Sequence, residues 1–285
     1  MKVKSLIKFF YQKFLLYRAK SNLNIALNTS DITSNIILTA IHKTCSNHLF
    51  KHHIKYIDIE NRRNNLLNDK SSIDFIDFGA GTSNSKRTEQ DMYNGIKGTS
   101  RISKIASASK SLFWSSLLHD LVNNIQPKKL LELGTCFGIS GSYIASACEG
   151  KYEFLTLEGS PEIAKIAKRT FEISGHNKVQ VIIGPFHKTF HESLDHLQNV
   201  DFLFNDGHHD EKAVIDNFLI SLPFFNENAI MVCDDINWST GMKKAWNSII
   251  QHPKVVSSYD LYTLGIVVIS KNDHLIKKNY NFKII

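Results

Sequence analysis

From residue 129 onward, short apolar runs alternate with longer segments in which apolar residues recur every three or four positions. The apolar runs lie near 129–134, 153–158, 179–183, 201–205 and 229–233. The segments with helical spacing lie at 139–149, 161–174, 210–220 and 240–251. Short buried strands that alternate with amphipathic helices are typical of a parallel sheet covered by helices on both faces. The pattern therefore predicts a doubly wound α/β domain.

The C-terminal part departs from this alternation. Residues 255–261 and 264–270 are two β-rich runs joined by a short link. Two such runs favour an antiparallel hairpin, here at the edge of the sheet. Together with the five strands above, the hairpin gives a mostly parallel sheet of seven strands. We expect a further extended segment near 279–285.

The first 110 residues have a different character. Residues 1–70 have helical periodicity and end in a polar connector at 61–70, so they predict an N-terminal helical cap. Residues 71–110 begin with a strand-like run and then become rich in Gly, Ser, Thr and Lys, which predicts a long lid-like loop. A helix at 111–125 then opens the α/β domain, which we assign to residues 111–285.

The net charge of +7 is unevenly distributed along the chain. Residues 1–70 carry 12 Lys or Arg against 4 acidic residues, whereas residues 71–285 carry 22 against 23. A basic active-site face would indicate a polyanionic substrate, but the α/β region is close to neutral. Nucleic acid is therefore the less favoured partner.

The basic segment at residues 1–20 mixes lysines with apolar residues. Lysines interrupt every apolar run, which excludes a signal peptide and a membrane span. A basic amphipathic helix either packs on the protein's own core or a second copy, which we favour, or lies on an anionic membrane surface. A homodimer contact and peripheral membrane contact both stay open.

Four cysteines are present, and none has the spacing of a disulfide framework or a metal site. They are Cys45, Cys136, Cys148 and Cys233. Unpaired cysteines indicate a reducing compartment, so we expect a cytoplasmic protein.

An acid and two glycines accompany the end of the first strand. Residues 130–141 read Leu-Leu-Glu-Leu-Gly-Thr-Cys-Phe-Gly-Ile-Ser-Gly. Gly134 and Gly138 permit close approach of a ligand to the backbone, and the following helix N-terminus presents free N–H groups to an anionic group. The second strand ends at Glu158, whose carboxylate would accept both hydroxyls of a cofactor ribose. This combination predicts a nucleotide-cofactor site.

The spacing Glu-x-Gly-Thr-x-x-Gly-x-Ser, from Glu132 to Ser140, resembles the cofactor motif of class I S-adenosylmethionine-dependent methyltransferases. Ser140 in place of the last glycine resembles the O-methyltransferase variant. A dinucleotide fingerprint would instead require a glycine where Cys136 stands. Residues 76–81, 103–106, 200–210 and 229–242 extend the resemblance, which covers about residues 74–285. It implies a Rossmann-like fold.

The resemblance also implies S-adenosylmethionine as the cofactor and assigns residues to it. The implied cofactor contacts are Glu132, Gly134, Thr135, Cys136, Gly138, Ser140 and Glu158. Phe186 either stacks on the adenine or packs in the core. From their position and charge, Arg101, Ser103 and Lys104 either contact the cofactor carboxylate or an acidic substrate, or are solvated loop residues. Since ligands lie over the carboxyl ends of parallel strands, Gly134 and Glu158 should share one crevice with the acids that follow later strands.

Methyl transfer to a hydroxyl oxygen requires removal of the hydroxyl proton. Asp206, Asp234 and Asp235 follow two strands directly and could hold Mg²⁺, as in the catechol-type enzymes that this pattern resembles. Alternatively a histidine is the base, either His208 or His209, of which we favour His209. The same histidines could instead cap the next helix. The catalytic candidates are Asp206, His209 and Asp234.

We therefore expect an enzyme that methylates an oxygen of a small-molecule hydroxyl acceptor. The fourth strand lacks the Pro-Pro-aromatic sequence of exocyclic-amine methylation, and no cysteine follows a proline as in attack on pyrimidines. Alternatives are a methyltransferase acting on RNA or another polyanion through the basic N-terminal segment, and a cofactor-binding module without catalysis. A nicotinamide-dependent oxidoreductase is disfavoured, since Cys136 replaces the middle glycine.

Overall fold

The computed structural model describes residues 2–28, 30–50, 56–79, 87–272 and 276–284, except for the side chains of 2–12 and 48–50. The helices are α1 (Lys2–Leu27), α2 (Ile32–Phe50), α3 (Ile57–Asn68), α4 (Glu89–Asn94), α5 (Ile102–Ala106), α6 (Leu112–Ile125), α7 (Ile139–Ala145), α8 (Pro161–Ile173), α9 (Phe186–Leu197), α10 (Glu211–Ser221) and α11 (Thr240–Gln251). The strands are β1 (Ser72–Asp77), β2 (Ile96–Arg101), β3 (Lys129–Leu133), β4 (Glu153–Glu158), β5 (Gln180–Ile183), β6 (Val200–Asn205), β7 (Phe225–Cys233), β8 (Val255–Tyr262), β9 (Gly265–Ile269) and β10 (Lys278–Ile284).

The main sheet has the order β10-β8-β9-β7-β6-β3-β4-β5. Strands β3 to β7 pair in parallel, and β9 is antiparallel to both of its neighbours. This confirms the doubly wound α/β fold and the C-terminal hairpin. The expected number of seven strands is one too few, because β10 pairs in parallel with β8 and adds an eighth strand.

The two faces of the sheet carry separate cores. Leu130 faces the core formed with α1, α2, α6, α7 and α8, whereas its neighbour Leu131 faces the core formed with α9, α10 and α11. Successive side chains of a strand point to opposite faces, so a parallel strand covered on both sides is apolar throughout. This accounts for the continuous apolar runs in the sequence.

Helix α9 follows β5 and is absent from the sequence prediction. Its buried face includes Phe190, Leu194 and Leu197, but Thr189 and Ser193 share that face. Three histidines lie elsewhere on the helix. The small polar residues weaken the apolar periodicity, and packing against the sheet supplies the stability that the pattern did not indicate.

The N-terminal helices pack on the α/β body. Leu16 and Leu23 of α1 and Ile37 and Ile41 of α2 are buried in the same core as Leu118 of α6. The described part of α1 therefore includes a face that packs on the protein itself. Among the described residues, none of the helices combines the length and the apolar character that a membrane crossing requires.

Helix α3 occupies most of the segment expected to be a polar connector, so that prediction was wrong for residues 61–68. Ile59, Arg63 and Leu66 are buried, and their spacing places them on one helical face. The remaining residues are mostly polar. A single narrow buried face among polar residues gives a weak periodic signal, which explains the error.

The expected lid contains regular structure. Strands β1 and β2 form an antiparallel pair, followed directly by α5. The strand-like run expected at the start of this segment is β1. The prediction of a loop after it was wrong, because β2 is largely exposed and its sequence is correspondingly polar. Phe75 packs across the pair on Gly98. Residues 80–86 lie outside the described residues. They include part of the expected lid and the end of segment 76–81, which extended the family resemblance.

Candidate active site

A cleft of about 720 Å³ lies at the carboxyl ends of the parallel strands. That volume is within the range of small-molecule sites. Its floor includes Gly134, Cys136, Glu158 and Asp206, which follow or end β3, β4 and β6. The β1–β2 pair and the segments beside it form the opposite wall. The residues of this wall that line the cleft are Phe75, Ile76, Asp77, Phe78, Gly79, Arg87, Thr99, Ser100, Lys104, Ile105, Ala108 and Lys110.

The turn from β3 to α7, residues 134–138, is called the cofactor loop below. Gly134 has φ +94° and its Cα faces the backbone of Asp206, where a Cβ would lie 2.6 Å from the carbonyl oxygen. Gly138 has φ +79° and begins α7. Both values favour glycine, and the close approach at Gly134 leaves no room for a side chain. The sequence therefore contains glycines where the turn requires them.

Glu158 is tied to the cofactor loop through its carboxylate. The backbone N–H groups of Cys136 and Ser160 donate to its two oxygens, each at 2.9 Å. Burial raises the pKa of Glu158 to about 7 despite these hydrogen bonds, and nearby Asp77 raises it further. Hydroxyl donors from a ligand would favour the ionised form. Glu158 is thus placed to accept hydrogen bonds from the hydroxyl groups of a ligand in the cleft.

A buried network lies beneath the cofactor loop. Glu132 is fully buried and accepts hydrogen bonds from Ser140 Oγ and Thr156 Oγ1, both at 2.6 Å. Thr135 Oγ1 shares a hydrogen bond of 2.6 Å with the same Thr156 hydroxyl. Burial raises the pKa of Glu132 to about 7, and the two hydroxyls oppose that shift. These hydrogen bonds hold the cofactor loop on the side that faces the protein interior.

The cofactor candidates thus separate into two groups. Gly134, Cys136 and Glu158 line the cleft. Glu132, Thr135, Gly138 and Ser140 are not among its lining residues, although the motif implied direct contact for all seven. Glu132, Thr135 and Ser140 point into the protein, where their side chains belong to one hydrogen-bonded network with Thr156. Gly138 contributes only backbone at the start of α7.

An acidic cluster with one histidine borders the cleft, in which Asp206 and His209 line the space and Asp234 is buried behind them. Asp206, His209 and Asp234 have ligand atoms within 4.8 Å of one another. Nε2 of His209 lies 3.7 Å from Asp206 Oδ1, 3.6 Å from Asp234 Oδ2 and 3.5 Å from Asp235 Oδ2. All the residues predicted for catalysis or metal binding are therefore brought together, although they come from two strand ends.

Lys110 belongs to the same cluster and was missed by the sequence analysis. Its Nζ is in direct contact with Asp234 Oδ2 and lies 3.7 Å from Asp206 Oδ1. Only 12% of its side chain is exposed. No motif surrounds Lys110, which precedes α6 in an otherwise polar stretch. Its position just before the helix that leads into β3 is the one signal that could have suggested it.

The charges of the cluster shift one another's protonation. Burial raises the pKa of Asp206 well above its usual range, and the neighbouring charge of Asp234 raises it further. Burial also opposes ionisation of Asp234, but the nearby imidazole of His209 and the charge of Lys110 lower the pKa of Asp234 below its usual value. Burial disfavours the ammonium of Lys110, yet the three carboxylates outweigh it and raise the pKa of Lys110. The pKa of Asp206 therefore lies above that of Asp234, and both carboxyl groups lie beside the amine of Lys110.

Carboxylates and an imidazole are suitable ligands for a divalent cation. In this cluster, however, the oxygen of Asp234 nearest His209 already contacts the Lys110 ammonium. A metal ion bound to the same oxygens would be repelled by that positive charge. The donor set fits Mg²⁺ in residue type, but does not fit it with Lys110 in its present place.

The remaining candidates lie around the cleft. His208 packs edge-on against Phe186, with 5.9 Å between ring centroids, and does not line the cleft. Phe186 lines the cleft and lies over Gly207, where a Cβ would be 2.1 Å from the ring. Lys104 lines it too, but Arg101 and Ser103 do not. Beside these candidates lies Trp238, which is 37% exposed and whose ring centroid is 5.5 Å from that of His209.

The sheet is mostly parallel, with the cofactor loop after β3 and acids at the ends of its neighbours β4 and β6. Residues 131–236 match a family model described as a methyltransferase domain. The chain is also 25% identical over 123 residues to catechol O-methyltransferase B of Danio rerio. That match covers 42% of this chain and 47% of the relative, so it spans about half of the relative's length.

Solved structures show the same fold. The O-methyltransferase of Bacillus cereus in complex with S-adenosylhomocysteine superposes with a TM-score of 0.51 and 20% identity over 59% of this chain and 85% of that one. The S-adenosylhomocysteine-bound methyltransferase of Podospora anserina has a TM-score of 0.50 and 18% identity over 58% and 82%. Taken together, residues 131–236 of this chain match a methyltransferase domain, and the chain has the fold of these solved methyltransferases.

Proposed function

We propose that this protein binds S-adenosylmethionine in the cleft and transfers its methyl group to a hydroxyl oxygen of a small molecule. The observation that carries the proposal is the shared cleft: Glu158 and the cofactor loop form one end, and the Asp206–His209–Asp234 cluster forms the other. The names of the relatives support it, since one is a catechol O-methyltransferase and two structures contain S-adenosylhomocysteine.

The residues of the first end suit a nucleoside with a charged tail. The carboxylate of Glu158 keeps lone pairs free for the two ribose hydroxyls, because Cys136 and Ser160 each use one position on it. Gly134 permits the ligand to approach the backbone closely. Glu132, Thr135, Gly138 and Ser140 act indirectly, by holding the loop in shape.

The residues of the second end suit removal of a hydroxyl proton. S-adenosylmethionine carries its methyl group on a positively charged sulfonium sulfur. The neutral thioether that remains after the transfer is a good leaving group. The acceptor oxygen forms a bond to the methyl carbon while the sulfur–carbon bond breaks, and the hydroxyl proton passes to Nε2 of His209. Asp206 and Asp234 lie within 3.7 Å of that nitrogen and would stabilise the imidazolium. The products are a methyl ether and S-adenosylhomocysteine.

The charges lining the cleft favour a small acceptor over a polyanion. Arg87, Lys104 and Lys110 are balanced by four acids that line the same space. These acids are Asp77, Glu158, Asp206 and Asp235. A site for nucleic acid would present a positive face to the phosphates. Phe75 and Phe78 give the wall opposite the floor an aromatic character, which suits an aromatic acceptor.

The experiment is a transfer assay with S-adenosylmethionine carrying a labelled methyl group and a panel of aromatic acceptors. The panel pairs vicinal diols with matched mono-hydroxyl and amine compounds, and S-adenosylhomocysteine is measured as the common product. We expect label on oxygen of at least one hydroxyl acceptor, and loss of transfer in His209→Ala. Transfer confined to amines or to RNA would contradict the proposal.

A further inference from the structure

We propose that Lys110 is the resident cation of this site and takes the place between Asp206 and Asp234 that a divalent metal would occupy, so that the methyl transfer proposed above is independent of metal. The observation is the position of its ammonium, in contact with Asp234 and 3.7 Å from Asp206. The proposal rests on the proposed function for its catalytic meaning, but the cation site can be tested without turnover.

Hydrogen bonds to the backbone carbonyl of Lys110 hold this residue in place. Its carbonyl oxygen accepts hydrogen bonds from Nη1 of Arg63 and, at 3.2 Å, from Oγ of Ser115. Arg63 is buried in α3, and its Nε donates to Glu60 Oε1 at 2.9 Å. The hydroxyl of Tyr143 in α7 donates to the same Glu60 oxygen at 2.7 Å. The lysine thus belongs to a built position that links the helical cap, α6 and α7.

The ammonium and a metal ion would compete for the same oxygens. A divalent cation binds carboxylate oxygens at about 2.0–2.6 Å, and Asp234 Oδ2 is the oxygen that Lys110 contacts. An ammonium this close would repel a second cation, and the low dielectric of a buried site strengthens the repulsion. The three carboxylates would otherwise be left without a balancing positive charge, which is costly for buried acids. Lys110 supplies that balance.

The same ammonium faces the place where negative charge would develop. Lys110, His209 and Asp235 all line the cleft, so an acceptor hydroxyl near Nε2 of His209 lies on the side of the cluster that Lys110 borders. As the proton leaves for His209, the acceptor oxygen becomes negative. A fixed positive group in a partly desolvated cleft stabilises that charge. Lys110 would then supply the electrostatic part of what a metal provides elsewhere.

Binding of Mn²⁺, used as a probe for Mg²⁺, tests the proposal on the full chain. Electron paramagnetic resonance of free Mn²⁺ is recorded during titration of wild type, Lys110→Met and Lys110→Ala. Lys110→Met keeps most of the apolar stem of the side chain, and the melting temperature of each variant is recorded to confirm that it is folded. Lys212→Met is the matched control, because Lys212 pairs with Asp216 on the surface of α10.

We expect weak binding by wild type and by Lys212→Met, and binding at least tenfold tighter by the Lys110 variants, lost again when Asp234→Asn is added. Equal binding by wild type and the variants overturns the proposal, and so does no binding by any of them. Titration of the same samples with S-adenosylhomocysteine separates the two claims. If wild type binds both the cofactor and Mn²⁺ tightly, only the proposed role of Lys110 is contradicted. If wild type does not bind the cofactor, the proposed function is contradicted.

Discussion

Gly134 and Asp206 are in direct backbone contact at the ends of neighbouring strands. The amide of Asp206 donates to the carbonyl of Leu133 at 3.0 Å, and a Cβ on Gly134 would lie 2.6 Å from the carbonyl oxygen of Asp206. This contact sets the position of the cofactor loop relative to Asp206. A fixed distance between the two is what alignment of a methyl donor and an acceptor requires.

The variant Gly134→Ala should disturb both ends at once. The new Cβ meets the backbone of Asp206, and the residue keeps φ +94°, where alanine is strained by about 1–3 kcal/mol. We expect a lower melting temperature and a large loss of affinity for S-adenosylhomocysteine. Gly150→Ala is the control, since Gly150 has φ +68° but no atom within 4 Å of the added Cβ. Equal loss of cofactor affinity in both variants would contradict the close-contact argument.

Replacement of His209 should separate catalysis from cofactor binding. Its ring lies among three carboxylates, and Glu158, the residue assigned to the ribose hydroxyls, is at the other end of the cleft. We expect His209→Ala to lower kcat about 10²-fold or more at neutral pH, with little change in affinity for S-adenosylhomocysteine. His191→Ala serves as the control, because His191 pairs with Asp195 on the exposed face of α9. An unchanged kcat in His209→Ala would remove the histidine mechanism.

The affinity for the cofactor should depend on pH through Glu158. Its pKa in the free protein is about 7, above the usual 4.5, and ribose hydroxyls bind its ionised form. Affinity is therefore expected to be highest above pH 7 and to fall by up to about tenfold per unit below it. Glu158→Gln should bind weakly with a flatter pH profile. Calorimetric titrations with S-adenosylhomocysteine from pH 5.5 to pH 8.5 measure this, and a flat profile for wild type would contradict it.

The raised pKa values have the opposite effect on the stability of the free protein. Glu132 and Glu158 both have a pKa of about 7 in the fold, above the usual 4.5, so folding favours their protonated forms. Their contribution to the free energy of unfolding should therefore decline as pH rises from about 4.5 through 7. Denaturant unfolding of Glu132→Gln against wild type checks this, since the variant should lose less stability over that range. A parallel pH dependence in both proteins would speak against it.

Arg87 should hold the wall opposite the cofactor loop in place. Its guanidinium pairs with Asp77 at 2.8 Å and donates to the carbonyl of Gly79 at 2.7 Å. We expect Arg87→Ala to weaken binding of S-adenosylhomocysteine several-fold with a small effect on the melting temperature. Arg169→Ala is the control, because Arg169 pairs with Glu172 at an exposed site on α8. Unaltered binding in Arg87→Ala would show that this wall does not contact the cofactor.

The sequence predicted most of the α/β body for a physical reason. Strands buried on both faces must be apolar throughout, and amphipathic helices must repeat every three or four residues, so β3 to β7 and α11 are visible from pattern alone. Helix α9 and strand β2 escaped, because Thr189 and Ser193 share a buried face and β2 is largely exposed. Tertiary packing stabilises such elements more than their local sequence does.

The position of a site residue was predictable where that residue comes directly after a strand. Asp206 and Asp234 come directly after apolar strands, so their convergence follows from the parallel sheet. Lys110 could not be found in that way, because its position depends on a hydrogen bond from Arg63, 47 residues earlier. The motif also did not reveal that Glu132 and Ser140 point inward, since that depends on the backbone angles of the cofactor loop.

The most direct test of the account is calorimetric titration of the full chain with S-adenosylhomocysteine at pH 8, where Glu158 is largely ionised. Glu158→Gln and, as a control, Glu162→Gln on the exposed first turn of α8 are titrated in parallel. We predict binding with a stoichiometry of one by wild type and by Glu162→Gln, and strongly weakened binding by Glu158→Gln. Absence of binding by wild type, or equal binding by Glu158→Gln, would contradict the assignment of the cleft as a methyl-donor site.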